Sequence, residues 1–388
     1  MNIETVDLNA PVPDHVRPES VVDFDLYGDR RWVETGDMHA GLWKLGQEKG
    51  WGIFWTPHNG GHWLINDYEL LFDAVRQPEL FSNQKMTLPP MPEEPLLLPL
   101  GLDPPAHGAF RLPLMKAFAP NVIRAMERDI RNFAAELIDG IARDGRCEFV
   151  RAIGVPMPVM IFMKLMGMPL DRLDEFREWV LDMSSNDNER RADSYVKCHA
   201  LMAELIGERQ AERGDDLISQ LIDADVGGRS LTFDELQAYC MLLFAAGLDT
   251  VANSLAFGVN YLAGDARLQN ELRASPETIP VAVEEFLRRF GITNPPRTAT
   301  RDFNFGGVDI KKGERVVMMT PAANLDPKIF PDPMRFDLDR ENKVHVTFHS
   351  GPHRCVGSHL ARLELRVFYG EWFKRMPNIR HDPDDPVV

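Results

Sequence analysis

Cysteine is scarce. Four residues, Cys147, Cys198, Cys240 and Cys355, lie too far apart in 388 to form a CxxC pair or a disulfide framework. That excludes a small disulfide-stapled scaffold and makes a reducing cytoplasm the expected compartment. The stretch from Met1 to Pro18 has no basic segment followed by an apolar one, so neither a signal peptide nor a membrane anchor is expected. Positive charge is in deficit: 43 Lys and Arg stand against 59 Asp and Glu, and a net charge of -16 argues against nucleic acid as a partner. Internal repeats, long low-complexity tracts and clean linkers are also missing, so one continuous domain over 1-388 is expected despite the length.

What is present reads as a soluble globular protein, with 44% hydrophobic and 26% charged residues. Residues 52–56 and 61–65, separated by Pro57-His58-Asn59-Gly60, read as a β-hairpin, and a helix from Asp67 to about Arg76 follows. Residues 84–105 hold seven prolines and the run Leu96-Leu97-Leu98, an apolar segment that cannot be regular and suits a lid or pocket wall. Helical periodicity covers 121–143, 157–167, 172–183 and 194–212, with the polar break 184–188 as a mobile tip. Thr232-Phe233-Asp234-Glu235 is a capping box opening an apolar run to about Ala263, roughly 45 Å of helix. Asp249, Asn253, Ser254 and Asn260 interrupt it, so it reads as a buried central helix and not a membrane span. A second helix covers Pro280 to Phe290, strands are expected at 297–301, 303–310 and 315–319, and 324–342 reads as irregular. The fold class is mainly α with small β-sheets, the β-rich part around 50–66 and 297–319 and the helical part at 106–290 and 356–375.

The chemistry centres on Thr347-Phe348-His349-Ser350-Gly351-Pro352-His353-Arg354-Cys355-Val356-Gly357, a lone cysteine in a Gly/Pro loop ahead of the apolar helical run Leu360 to Phe373. A thiolate beside a helix N-terminus is a soft anionic ligand favoured by the amides around it. Gly351 permits a turn with positive φ, and Gly357 leaves room for a flat macrocycle against the backbone. Two other readings compete. Zinc is suggested by His345, His349, His353 and His359, but Gly351 and Pro352 break the helix that would align them. A buried structural cysteine beside a turn is the other. The pattern Phe-x-x-Gly-x-x-x-Cys-x-Gly, from Phe348 to Gly357, resembles the haem-binding signature of the cytochromes P-450.

The resemblance extends along the chain. Ala245-Ala246-Gly247-Leu248-Asp249-Thr250 combines small residues with an acid and an alcohol whose hydroxyl can turn back to the carbonyl four residues earlier. As a buried aspartate, Asp249 would be costly unless something needed it. The segment resembles the family's oxygen-activation motif, which implies proton delivery by Asp249 and Thr250. Glu285-x-x-Arg288 resembles the family's structural ion pair, and Pro333-Met334-Arg335-Phe336 its companion segment, which implies that Arg335 completes a buried charge network. Asp103-Pro104-Pro105-Ala106-His107-Gly108-Ala109-Phe110-Arg111 resembles the propionate-binding segment. His107, Arg111, Arg297 and His353 are the implied propionate partners, cations being what two carboxylates require.

The family implies a long central helix over haem b (iron protoporphyrin IX), with Cys355 as axial ligand and O2 as co-substrate. The similarity is strongest to bacterial class I members of the camphor 5-monooxygenase kind. It nominates Met86, Thr87, Pro95, Leu97 and Leu98 as pocket wall. Leu242, Ala245, Ala246 and Thr293 complete the implied pocket. Camphor-type enzymes hold a substrate ketone with a tyrosine, and residues 77–105 contain none. A larger or less polar terpenoid is therefore expected as substrate. The family's C-terminal β-turn is not reached, because the sequence ends at Val388, eleven residues after Pro377. No flavin or iron–sulfur motif is present, which implies a [2Fe–2S] ferredoxin fed by an NADH-dependent ferredoxin reductase. Residues 105–124 (Arg111, Lys116, Arg124) and 343–363 (Lys343, Arg354, Arg362) carry no acid and suit docking of such an acidic partner. A peroxygenase using H2O2 and a non-catalytic haem sensor are the alternative functions.

Overall fold

The structure is a computed structural model and describes residues 9–92, 96–183 and 187–385. In chain order it places α1 (Arg30–Thr35), α2 (Met38–Lys49), β1 (Ile53–Thr56), β2 (His62–Ile65), α3 (Tyr68–Ala74), β3 (Phe81–Ser82), α4 (Ala106–Ala117), α5 (Pro120–Ala125), α6 (Glu127–Ala142), α7 (Pro156–Leu165), α8 (Leu173–Met183) and α9 (Asn188–Ala211). Then come α10 (Leu217–Ile222), α11 (Phe233–Gly264), α12 (Ala266–Ala274), α13 (Ile279–Arg289), β4 (Pro296–Ala299), β5 (Phe303–Phe305), β6 (Val308–Ile310), β7 (Arg315–Met318), α14 (Thr320–Ala323) and α15 (Ser358–Arg375). This is the expected mainly helical architecture with small sheets. The chain folds into two compact units, each assembled from separate stretches.

The first unit gathers the described residues within 9–96, 100–107 and 284–355 around a five-stranded sheet of order β1-β2-β7-β4-β3. β2 and β7 pair in parallel and the other neighbours antiparallel. Because side chains alternate along a strand, the sheet is buried on both faces. Trp63, Ile65, Val316 and Met318 enter one apolar cluster, and Leu64, Val317 and Met319 the other. That explains why β7 reads as a continuous apolar run and not as an alternation. The hairpin turn has Asn59 in the left-handed region at φ 55°. Asp67 caps α3 through Leu70 N. The stretch 303–310 is not one strand but a short hairpin, β5 against β6, reversing at Gly306-Gly307.

The second unit holds the described residues within 97–99, 108–283 and 356–385. Its longest element, α11, begins with the anticipated capping box, Thr232 Oγ1 accepting from Glu235 N and Glu235 Oε2 accepting from Thr232 N. α11 is long and apolar enough to cross a membrane. Here it packs against α7 and α9, with Leu236, Phe244, Leu248, Val251, Leu255 and Leu262 buried. Phe162, Phe176 and Phe244 form an aromatic triad with centroids 5.4 to 6.2 Å apart. The periodic run 121–143 is two helices, since Met126 relaxes to ψ −10° and ends α5 before α6 begins. Ile130, Ala134 and Ile138 then bury one face of α6. The polar break at 184–188 lies mostly outside the described residues.

Candidate active site

In the first unit the cysteine loop is closed by its own backbone: Cys355 N donates to Phe348 O at 2.9 Å and Arg354 N to Gly351 O at 3.2 Å. The Cys355 thiol is exposed, three residues before α15. Gly351 has φ 70°, and a Cβ there would lie 2.9 Å from Val75 O and 3.0 Å from Arg76 Cα. Only glycine allows the loop both its turn and its closeness to the end of α3. Gly357 has φ −78°, which any residue adopts, so its role is one of space and not of backbone freedom.

Two polar side chains absent from the sequence reading, Asn324 and Thr320, brace this loop together with its own Thr347. Asn324, fully buried, accepts from Val346 N at 2.9 Å and donates to Thr347 Oγ1 at 2.8 Å. Thr347 Oγ1 donates on to Leu287 O at 2.7 Å, and Thr320 Oγ1 lies 2.8 Å from His349 Nε2. Nothing in the sequence marks Asn324 or Thr320, because their partners are distant in the chain and follow no period.

His107 and His353 are buried with their rings in contact, centroids 4.1 Å apart and tilted by 42°. Arg297 on β4 is 3% exposed, makes one hydrogen bond, to Pro296 O at 2.9 Å, and has no ion pair among the described residues. Burial lowers it to about 10, with Asp103 opposing. A buried guanidinium without an ion pair among the described residues calls for an anion, and haem propionates are of that chemistry. His349 is pushed down to about 3 by burial first and then by Arg297, so it is neutral beside Thr320. Asp103 accepts from Ser82 Oγ at 2.5 Å and Asn83 N at 2.9 Å, which ties the start of α4 to β3. Arg111 sits one turn beyond His107 on α4, half-buried.

The histidines that suggested zinc diverge. His345 pairs with Glu284 at 3.2 Å, His349 with Thr320, His353 with His107, and His359 is exposed. Among the described residues no three His, Cys, Asp or Glu side chains could hold a metal ion together.

The charge network departs from expectation in one member. Arg288 reaches Glu285 at 2.7 and 2.8 Å and the carbonyls of Asn324 and Pro333 at 2.9 Å. The second cation is Arg340, whose Nε donates to both oxygens of Glu285 at 3.1 and 3.3 Å. Arg335 is exposed and enters only through its carbonyl, which accepts from Arg340 at 2.9 Å. Asp332, at φ 48°, opens a turn in which its carbonyl accepts from Arg335 N at 3.0 Å.

In the second unit, α11 runs unbroken through Ala245 to Thr250, so no groove opens in its hydrogen-bond ladder. Thr250 Oγ1 donates to Ala246 O at 2.9 Å, the back-bond expected, and Asn253 and Ser254 make equivalent bonds. Asp249 is exposed, which removes the cost assigned to its burial. Ala245, Ala246 and Gly247 form an exposed strip of small residues on an otherwise apolar helix, and Leu242 is half-buried. Leu97 is half-buried and Leu98 buried. In the first unit Met86 and Thr87 are half-buried and Thr293 exposed, while Pro95 lies outside the described residues.

A helical fold with a long central helix, a cysteine offered from a glycine turn ahead of a helix, and a buried guanidinium in the unit that holds that cysteine fit the class of haem-thiolate monooxygenases. The cytochrome P-450 family matches residues 159–279 and 277–376. A probable cytochrome P-450 127A1 of Sinorhizobium fredii is 33% identical over 95% of this chain and 91% of its own length. A steroid C26-monooxygenase of Mycobacterium tuberculosis is 31% identical over 83% of this chain and 88% of its own. Among solved structures, CYP101J2 matches with TM-score 0.87 and 34% identity over 97% of this chain and 95% of that one. CYP101C1 gives 0.88 and 32% with the same coverage. The chain belongs to the cytochrome P-450 family, and its cofactor is haem, with O2 as co-substrate.

Proposed function

We propose that this monooxygenase hydroxylates an unactivated C–H bond of a small hydrophobic, terpenoid-like molecule, with electrons from a [2Fe–2S] ferredoxin fed by an NADH-dependent reductase. Cys355 is the axial ligand in this reading, and His107, Arg111, Arg297 and His353 hold the propionates. The bound haem supplies the oxygen chemistry. Thr250, with its hydroxyl held at Ala246 O, and the solvent-facing Asp249 move protons.

The observation that carries the reading is the buried guanidinium of Arg297, without an ion pair among the described residues, in the same unit as the exposed Cys355. The substrate class is supported by the tyrosine-free, leucine-rich segment 77–105. The ferredoxin is supported by Lys343 and Arg354 in one unit and Lys116 and Arg124 in the other, all exposed in acid-free stretches. The cytoplasm is the natural compartment for four free thiols.

The test is spectral and kinetic. Reduced, carbonyl-treated holoenzyme gives the red-shifted Soret band of a thiolate ligand, and Cys355→His loses it. A terpenoid panel is screened for spin-state shift, and NADH consumption is followed with purified ferredoxin and reductase. Turnover driven by H2O2 but not by NADH and ferredoxin replaces this reading with the peroxygenase one.

A further inference from the structure

The chain leaving β3 runs into Pro89 and Pro90, two successive residues with no N–H to donate, so it cannot continue as a strand of the five-stranded sheet. Its carbonyls still need partners. Side chains of the first unit supply them: Thr298 Oγ1 donates to Lys85 O at 2.8 Å, Arg315 Nε to Thr87 O at 3.2 Å and Tyr27 Oη to Leu88 O at 2.7 Å. Two of these donors act together. Thr298 on β4 and Arg315 on β7 are cross-strand partners, and Arg315 Nη1 donates to Thr298 Oγ1 at 2.5 Å.

Packing fixes the same stretch. Leu88 is buried in the cluster that holds Val22, Leu64, Val317 and Met319. Gly60, in the β1–β2 turn, has φ 89°, and a Cβ there would lie 3.2 Å from Pro90 Cδ, so the turn meets the prolines at close range. Thr87 Oγ1 accepts from Met91 N at 3.1 Å and closes the stretch on itself. Among the anchored carbonyls sit Met86 and Thr87, half-buried, two of the residues assigned to the pocket wall. Tyr27 is 62% exposed, so its hydroxyl and not the burial of its ring does the holding.

We infer that Tyr27, Thr298 and Arg315 are positioning residues for substrate: by holding the carbonyls of Lys85, Thr87 and Leu88 they keep Met86 and Thr87 as a fixed wall that selects ligands by shape. A wall fixed beforehand spares the ligand the cost of ordering it, so loosening it weakens ligands that touch the wall and spares those that do not. The inference rests on the proposed function for the place of Met86 and Thr87 in the pocket.

The experiment compares 4-phenylimidazole with imidazole, two nitrogen ligands of haem iron read by the Soret shift, in the holoenzyme and in its Tyr27→Phe, Thr298→Val and Thr298→Ser variants. Tyr27→Phe and Thr298→Val weaken 4-phenylimidazole roughly fivefold and leave imidazole as it was, while Thr298→Ser, which keeps the hydroxyl, binds both like the parent. Hydrogen–deuterium exchange across residues 86–91 speeds up in the first two variants only. Tyr27→Phe, at an exposed side chain, keeps the urea midpoint of the parent. Parent-like affinity of Tyr27→Phe for 4-phenylimidazole overturns the inference, and so does an equal loss for imidazole or an unchanged exchange rate across 86–91. Absence of the thiolate-type Soret band in the parent would instead sink the proposed function, and the exchange measurement, which needs no haem, would still show whether these side chains hold the segment.

Discussion

Arg340 Nε donates to both carboxylate oxygens of Glu285, at 3.1 and 3.3 Å, across fifty-five residues of chain, and both side chains are buried. Together with Arg288 this makes a buried triad of two cations and one anion, its outer donors spent on the carbonyls of Pro331, Pro333 and Asn324. Such a triad holds the irregular segment 324–342 against the end of α13, where no regular ladder could.

Removing a partner from a buried ion pair leaves charge uncompensated, so Arg340→Ala is expected to cost about 3 kcal/mol. Arg335→Ala, at an exposed side chain, should stay within about 0.5 kcal/mol. Urea midpoints of the two variants check the ordering. Equal losses would mean that the second charge does not rest on Arg340 alone.

Arg297 separates stability from cofactor retention. Its guanidinium is buried with no ion pair among the described residues, so Arg297→Met should leave the haem-free protein as stable as the parent or more so. The same variant should lose haem faster to apomyoglobin. A haem-free form destabilised by more than about 1 kcal/mol would show that the cation is satisfied by the protein itself.

Much of this was legible from residue patterns, and the failures share a cause. Local signals held: the Thr232–Glu235 cap, the β1–β2 hairpin, the turn at Gly351 and the back-bond of Thr250 all depend on neighbours within four or so residues. What escaped depends on distant partners. Arg340, and not Arg335, reaches Glu285 from fifty-five residues away, and Asn324 braces the cysteine loop from twenty-two. Met126 divides a run whose apolar period continues across the break. Asp249 was priced as buried because its helix is apolar, yet it lies on the exposed side of that helix.

Acid should weaken the first unit. Burial lowers His62 to about 4, and burial with Arg297 lowers His349 to about 3, against 6.5 for a free imidazole. Between 6.5 and those values the unfolded chain binds protons that the folded one refuses, so stability falls as pH drops through that window. His349→Gln should flatten the slope of unfolding free energy against pH between about 6.5 and 3. An unchanged slope would place its proton uptake elsewhere.

Glu364 should act with the opposite sign. It lies on α15, 3% exposed, with Oε2 lacking a hydrogen-bond partner among the described residues, and burial raises it to about 8. From about 4.5 upward the unfolded carboxyl releases its proton while the folded one keeps it, so this side chain costs stability progressively until pH 8. Glu364→Gln removes the titration with little change of shape. It should raise stability on the order of 3 kcal/mol at pH 7 and leave it nearly unchanged at pH 4, read from urea unfolding at both values. A gain of the same size at pH 4 would mean that packing, and not ionisation, sets the effect of this residue.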